Sequence, residues 1–344
     1  MSIPQGIVIM QTGFVGDAVL ASGLLRGLAA SGCDRVGLVV RAEFAALFES
    51  HPGVQRLHLL AKGARGGNAR LAAELREGGY DVALLPHRSA RTALIAYRSG
   101  IRRRIGFSQS DARLLLTDRV QYVITMHETD RNAGLAARAG VAIAAADRRL
   151  WLVPSPAAVA AMRERFLRDD RPLVLLAPGS VWPTKRWGEE RFAGLARQVA
   201  GTGRHVVVVG SAAEAGVCSA VARGAGLEEM DVAAGTLSLA ELVAIVSLAE
   251  RLYTNDSAPL HIAEAVGTPV TAIFGPTVPE FGFGPRAPGS HVVQSSGLAC
   301  RPCCIHGGVR CPVGTHACMH MVSVEQVLAE GAAAADGRGA SRLH

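Results

Sequence analysis

Residues 7–17 read Ile-Val-Ile-Met-Gln-Thr-Gly-Phe-Val-Gly-Asp. The four leading apolar residues do not alternate with polar ones. They read as a strand buried on both faces, as in a parallel sheet. The glycines make a turn, and Ala18–Ala30 follows with a helical pattern. Outward from this unit the cadence repeats. Val36–Val40, Arg56–Leu60 and Val82–Leu85 read as strands, with helices at Leu71–Glu77 and Ala90–Tyr97. Alternation of this kind gives right-handed βαβ units and a doubly wound sheet.

The pattern restarts after Asp169-Asp170-Arg171-Pro172. Leu173–Ala177, His205–Gly210, Leu252–Thr254 and Val270–Phe274 read as strands; Arg191–Ala200, Ala212–Arg223, Leu239–Val246 and Pro259–Val266 read as helices. The chain of 344 residues is long enough for two domains. The expected class is α/β, with two Rossmann-like domains at 1–160 and 171–330. A ligand crevice is expected between them, at the carboxyl ends of the strands. Val324–Leu328 reads as a last helix, and 331–344 as a flexible tail.

Composition narrows the function. The chain is 49% hydrophobic and 19% charged, which excludes a disordered or fibrous protein. Aromatics are 5% and do not interleave with the arginines, so a base-stacking nucleic-acid surface is not expected. The net charge of +7 is uneven: residues 1–170 carry 23 Lys+Arg against 15 Asp+Glu, net +8, and residues 171–344 carry 13 against 14, net −1. That asymmetry fits a partner that is anionic on one side. Only two of the 36 basic residues are lysines, Lys62 and Lys185. Lys62 lies in a Gly/Ala-rich stretch and reads as a solvated charge. No secretory signal and no apolar run of membrane-spanning length stands out, so a cytoplasmic protein with reduced thiols is expected.

Four segments carry chemistry. Thr12-Gly13-Phe14-Val15-Gly16-Asp17 joins strand to helix but is not GxGxxG, so a dinucleotide site is not indicated. Asp17 is either a helix N-cap or a general base at the crevice. Pro178-Gly179-Ser180-Val181-Trp182-Pro183-Thr184-Lys185-Arg186-Trp187 follows the first strand of the second half. Its lysine is a compact cation suited to phosphate, against the alternative of a surface charge. Thr254-Asn255-Asp256-Ser257-Ala258-Pro259-Leu260-His261 ends a strand and opens a helix whose free amides favour anions. The same residues also suit an Asx-type cap above a buried histidine. Phe274-Gly275-Pro276-Thr277-Val278-Pro279 is a strand end with a rigid turn.

Taken in order over roughly residues 5–330, these segments resemble glycosyltransferase family 9, the ADP-heptose:lipopolysaccharide heptosyltransferases of GT-B fold. The Asn255-Asp256-Ser257 form and the later cysteines look most like the branch that acts second on the inner core. The resemblance implies inverting transfer of heptose from ADP-heptose to an inner-core acceptor. It implies Asp17 as the base, Lys185 opposite the donor diphosphate with Thr184 beside it, and Asp256 on the heptose hydroxyls. It places Ser257, Ala258 and the following amides near the diphosphate, with His261 supporting that loop. Glu214 is implied at the adenosine ribose, and Thr236, Leu237 and Ser238 near the adenine. Ala258 stands where the family commonly has glycine, which narrows the approach to the donor.

An anionic lipopolysaccharide acceptor suits the basic first half. Arg88, Arg91, Arg98, Arg102, Arg103 and Arg104 occupy one helix-and-loop region, and His127, Glu128 and Arg131 open a helix. Arg88, Arg91, Arg102, His127 and Arg131 are the expected acceptor contacts, with a solvated face as the alternative. The expected protein is a monomer, peripheral at the inner face of the inner membrane. No Asp-x-Asp occurs, so catalysis is expected to need no cofactor and no metal. Cys300, Cys303, Cys304, Cys311 and Cys318 cluster late in the chain. Cys300-x-x-Cys303 has metal-knuckle spacing, leaving three readings: a structural zinc at Cys300, Cys303, Cys311 and Cys318, reduced structural thiols, or disulfides. Two other classes share the two-lobed pattern: another GT-B nucleotide-sugar enzyme, such as an epimerase or one using a different donor, and a non-catalytic sugar-binding protein.

Overall fold

The computed structural model describes residues 4–61, 63 and 66–336, the last five by backbone only. Lys62 and residues 337–344 lie outside the described residues. The chain divides into two compact units, Met1–Val153 and Pro154–His344. The division moves the helix at Pro156–Phe166 into the second unit, because that helix packs on the helix at Leu239–Leu248. By units the charge is 20 Lys+Arg against 12 Asp+Glu in the first, net +8, and 16 against 17 in the second, net −1.

The first unit contains β1 (Ile7–Met10), α1 (Val15–Leu20), α2 (Ser22–Ala30), β2 (Val36–Arg41), β3 (Arg56–Leu60), α3 (Gly67–Glu77), β4 (Val82–Leu85), α4 (Ala90–Arg98), β5 (Arg103–Phe107), β6 (Asp118–Val120) and α5 (Glu128–Ala139). Its sheet is wholly parallel in the order β3-β2-β1-β4-β5-β6. β1 and β4 are buried along their whole length, as apolar runs covered on both faces must be. The order reverses between β1 and β4, so the turns that follow these strands flank the switch point where ligands bind in such sheets.

The helix expected over Ala18–Ala30 is two helices. α1 starts three residues earlier and ends at Leu20, and α2 restarts at Ser22, whose hydroxyl accepts from the Trp151 N–H. β5 and β6 had no signature in the sequence. β5 opens with two arginines, and β6 is a three-residue edge strand, nowhere fully buried; neither presents a continuous apolar run.

The second unit contains α6 (Pro156–Phe166), β7 (Leu173–Ala177), α7 (Glu189–Gly201), β8 (His205–Val208), α8 (Ala215–Ala225), α9 (Leu239–Leu248), β9 (Arg251–Asn255), α10 (Ala258–Val266), β10 (Val270–Phe274), β11 (His291–Gln294), α11 (Ala317–His320) and α12 (Val324–Asp336). The parallel sheet runs β11-β10-β9-β7-β8. Its reversal falls between β7 and β9, so the Pro178–Lys185 loop and the Asp256 turn share its switch point. Trp187, Phe192 and Leu195 join Val174, Leu176 and Met319 in the core. The expected tail at 331–344 is corrected in part: α12 continues as helix to Asp336.

Candidate active site

In the first unit, Thr12 joins the turns after β1 and β4. Its hydroxyl lies 3.0 Å from His87 Nδ1 and 2.6 Å from the Thr92 hydroxyl. Asp17 is not the N-cap of α1. That position belongs to Phe14, and Asp17 is the third helical residue. Its Oδ2 accepts from the Phe14 N–H at 3.0 Å, the carboxylate half of a capping box. Gly13 leaves room for it: a methyl there would stand 2.6 Å from Asp17 Oδ2 and 3.0 Å from Gln11 Oε1.

A second carboxylate lies near Asp17. Glu128 is held above the usual carboxylate range by burial, and the Asp17 charge adds to that push against the opposing Arg131. Arg131 Nε donates to Glu128 Oε2 at 2.8 Å, and the Tyr122 hydroxyl donates to the same oxygen at 3.2 Å. Arg131 also donates to the Val123 and Ile124 carbonyls and lies 4.2 Å from the Tyr122 ring centroid. The expectation of an acceptor contact at Arg131 meets a side chain that is 0% exposed. This arginine fixes the 122–128 segment from within. His127 is likewise buried and caps α5, its Nδ1 accepting from the Thr129 N–H.

The remaining arginines divide. Arg88, Arg91, Arg98 and Arg102 are exposed, and Arg88 stands 5.0 Å from the Tyr122 centroid. Arg103 is engaged with Asp118 and the Arg138 carbonyl. Arg104 is engaged with the carbonyls of Leu115 and Ile101.

In the second unit three of the four segments converge. Lys185 Nζ donates to Asp256 Oδ2 at 2.6 Å, and the Thr277 hydroxyl donates to the same oxygen at 2.6 Å. All three residues are buried. Asp256 Oδ1 has no hydrogen-bond partner among the described residues. Lys185 is therefore not a surface charge: it is a buried cation with a built counter-ion, at the carboxyl ends of β7, β9 and β10. Asn255 ties the two loops together, its Nδ2 donating to the Pro178 carbonyl and its Oδ1 accepting from the Trp187 N–H. Ser257 caps α10 and Ala258 is its first residue. His261 is buried one turn on.

Glu214 lies against the Pro178–Ser180 turn. A methyl on Gly179 would fall 2.2 Å from its Oε1, so any larger residue there would displace the Glu214 side chain. Ser211 N–H and Oγ both donate to Glu214 Oε2. Gly235 N–H donates to the Gly210 carbonyl, which sets the 235–238 segment beside the Glu214 turn. There Thr236 is exposed and accepts from Arg165, Leu237 is half-buried, and Ser238 caps α9.

Thr184 does not offer a free hydroxyl. It donates to the Gly308 carbonyl at 2.9 Å and accepts from the Gly308 N–H at 2.8 Å. The cysteine-rich segment thus braces the lysine turn. It also grips the Thr277 turn, through Arg301 Nη2 to the Thr277 carbonyl and Cys303 N–H to the Pro276 carbonyl. Sequence reasoning kept these cysteines apart from the site; the adjacent Gly307-Gly308 pair was the available sign of a close approach. All seven cysteines are free thiols. Among the described residues, no three His, Cys, Asp or Glu side chains are placed to hold one metal ion. The zinc reading of Cys300, Cys303, Cys311 and Cys318 is not carried by their placement.

A half-buried acid lies farther along α10. Glu264 is pushed up to about 7, chiefly by burial against the pull of the Arg286 N–H and charge. Its Oε1 accepts from Arg286 N–H, and its Oε2 is buried without a partner. A carboxyl whose folded pKa exceeds its unfolded value lowers stability as pH rises between the two. Glu264→Gln is therefore expected to stabilise the fold by roughly 1–3 kcal/mol at pH 8 and by nothing below about pH 4. Denaturant unfolding at the two pH values checks this.

The arrangement defines a class: two Rossmann-like α/β units, the second with a buried Lys–Asp pair beside the N-terminus of a helix at its switch point. This is the GT-B type of glycosyltransferase fold. The glycosyltransferase family 9 (heptosyltransferase) model matches residues 68–307. The chain belongs to that family. It is 31% identical over 233 residues to lipopolysaccharide heptosyltransferase 2 of Salmonella typhimurium, covering 63% of this chain. It is 30% identical over 229 residues to lipooligosaccharide heptosyltransferase 2 of Haemophilus influenzae, again covering 63% of this chain. Each match spans 66% of the relative's own length. Among solved structures, E. coli ADP-heptose lps heptosyltransferase II superposes with a TM-score of 0.79 at 25% identity, covering 97% of this chain and 100% of that one. The glycosyltransferase family 9 structure from Veillonella parvula DSM 2008 gives 0.81 at 22% identity, covering 97% and 98%. Among the described residues no helix is long and apolar enough to cross a membrane.

Proposed function

We propose that the protein transfers L-glycero-D-manno-heptose from ADP-heptose to the heptose/Kdo–lipid A inner core of lipopolysaccharide, inverting the anomeric centre. The observation that carries the reading is the knot of Lys185, Asp256 and Thr277, in a chain of the heptosyltransferase family. Its relatives are named as heptosyltransferases of lipopolysaccharide and lipooligosaccharide.

The chemistry follows from the residues. The Asp17 carboxylate takes the proton of the acceptor hydroxyl, and that oxygen bonds to the anomeric carbon. The bond from this carbon to the diphosphate oxygen breaks, with oxocarbenium character by analogy with glycoside hydrolysis. ADP leaves, and Asp17 returns its proton to water. Charge grows on the diphosphate as the bond breaks. Lys185 and the positive dipole end of α10 (Ala258–Val266) are fixed in advance to meet it, which is the effective form of electrostatic catalysis. Asp256 fixes the position of Lys185 through their ion pair and presents Oδ1 to the heptose hydroxyls. Glu214 reads the ribose, and Thr236 and Leu237 lie near the adenine. Thr184 works through Gly308, holding the lysine turn in place.

Exposed Arg88, Arg91 and Arg102 meet the phosphates and carboxylates of the acceptor, for which the guanidinium fork is suited. The lipid end of that acceptor keeps the enzyme peripheral at the inner face of the inner membrane. ADP release from ADP-heptose tests the reading. It should depend on a Kdo-containing acceptor and continue in EDTA. Release at the same rate without acceptor, or loss in EDTA restored by magnesium, would count against it.

A further inference from the structure

We propose that the end of α4 and the turn at Arg113–Leu115 form the surface by which the protein docks on an anionic lipid bilayer. The proposal rests on the reading of a membrane-held acceptor and adds the face that meets the membrane. Leu114 is 84% exposed and Tyr97 54%, and Leu114 exceeds every other large hydrophobic side chain among the described residues. Its exposure is built in. On either side Ala112 and Leu115 pack on the core, and Leu116 is buried within it. Leu114 is left pointing outward from an anchored turn.

One side chain ties the surface together. The Arg104 guanidinium lies 5.5 Å from the Tyr97 ring centroid. Its Nε donates to the Leu115 carbonyl at 2.7 Å and its Nη1 to the Ile101 carbonyl at 2.5 Å. The last turn of α4, the 101–102 bend and the Leu114 turn are thus one unit. Arg98, Arg102 and Arg113 are exposed around it. Residues 88–117 hold seven arginines against a single acid, Asp111.

The combination selects the occupant. A soluble polyanion would reward the arginines and leave Leu114 in water. A bilayer rewards both: apolar side chains enter the acyl boundary, a tyrosine sits at the headgroup level, and arginines meet anionic headgroups.

Sedimentation with vesicles tests this on the full chain. Wild type should bind phosphatidylglycerol-containing vesicles, bind phosphatidylcholine vesicles weakly, and release in high salt. Leu114→Asp and Arg113→Glu should each lower the partition coefficient about tenfold, with turnover on a delipidated, water-soluble acceptor unchanged. The same partition for Leu114→Asp as for wild type, or no wild-type binding, would overturn the proposal. Absence of heptosyl transfer with vesicle binding intact would overturn the functional reading and leave the docking surface standing.

Discussion

Asp17→Ala is expected to lower the turnover of heptosyl transfer by ~10²–10⁴-fold, the usual contribution of a positioned base, while ADP affinity stays at the wild-type value. Asp17 lies in the first unit; the groups assigned to the donor all lie in the second. The substitution also removes a cap, because Asp17 Oδ2 accepts the Phe14 N–H. A stability loss of about 1 kcal/mol accompanies it. Asp17→Asn separates the two effects, since its amide oxygen keeps the cap and lacks the basicity. If Asp17→Asn retained wild-type turnover, the base would be another group. Glu128 would be the first to test, because it lies near enough for the Asp17 charge to act on it.

Lys185→Ala is expected to act twice. Turnover should fall ~10²–10³-fold through loss of the charge facing the leaving diphosphate. The fold should lose about 3–5 kcal/mol, the cost of leaving one member of a buried ion pair without its partner. Asp256 is 6% exposed and would keep only the Thr277 hydroxyl on Oδ2. The double variant Lys185→Ala/Asp256→Ala separates these effects. It should recover much of the lost stability, since no buried charge is then unpaired, and remain inactive. Thermal unfolding and steady-state transfer on the three variants give the result. A double variant as inactive and as unstable as the single one would show that the pair supports the fold by other means.

How much of this was legible in the sequence depends on what a side chain does after the chain folds. β1, β4, β7 and β10 were visible as apolar runs, the composition that burial on both faces favours, with Thr271 the one polar residue among them. β5 was hidden by Arg103 and Arg104, and β11 by its half-buried edge position. The lysine was singled out by the rarity of its type, and it proves to be buried against Asp256. Its link to Thr277 was not legible, because a threonine in a rigid turn looks the same whether or not its hydroxyl has a task. The arginines were the least readable. Arg102, Arg103 and Arg104 are consecutive, yet the first is exposed and the next two are held by carbonyls and Asp118. Arg131 and Glu128 were expected to face an acceptor and instead neutralise each other inside. Charge content gives the sign of a surface, and only packing says which charges remain on it. The cysteine-rich segment teaches the same lesson: its bracing of Thr184 and Thr277 runs mainly through backbone groups and Arg301, with sulfur adding Cys303 Sγ to the Pro276 carbonyl and Cys304 Sγ accepting from the Gly307 N–H.

Heptosyl transfer onto an inner-core acceptor leaves its mark on the mass of the acceptor. The most direct test is mass spectrometry of the products formed from ADP-heptose with a set of defined, truncated core acceptors. The expected product is heavier by one heptosyl residue, formed only with acceptors that carry the inner-core Kdo or heptose, with ADP released in equal amount. Unchanged acceptor masses throughout, with ADP-heptose intact, hydrolysed or epimerised, would contradict it.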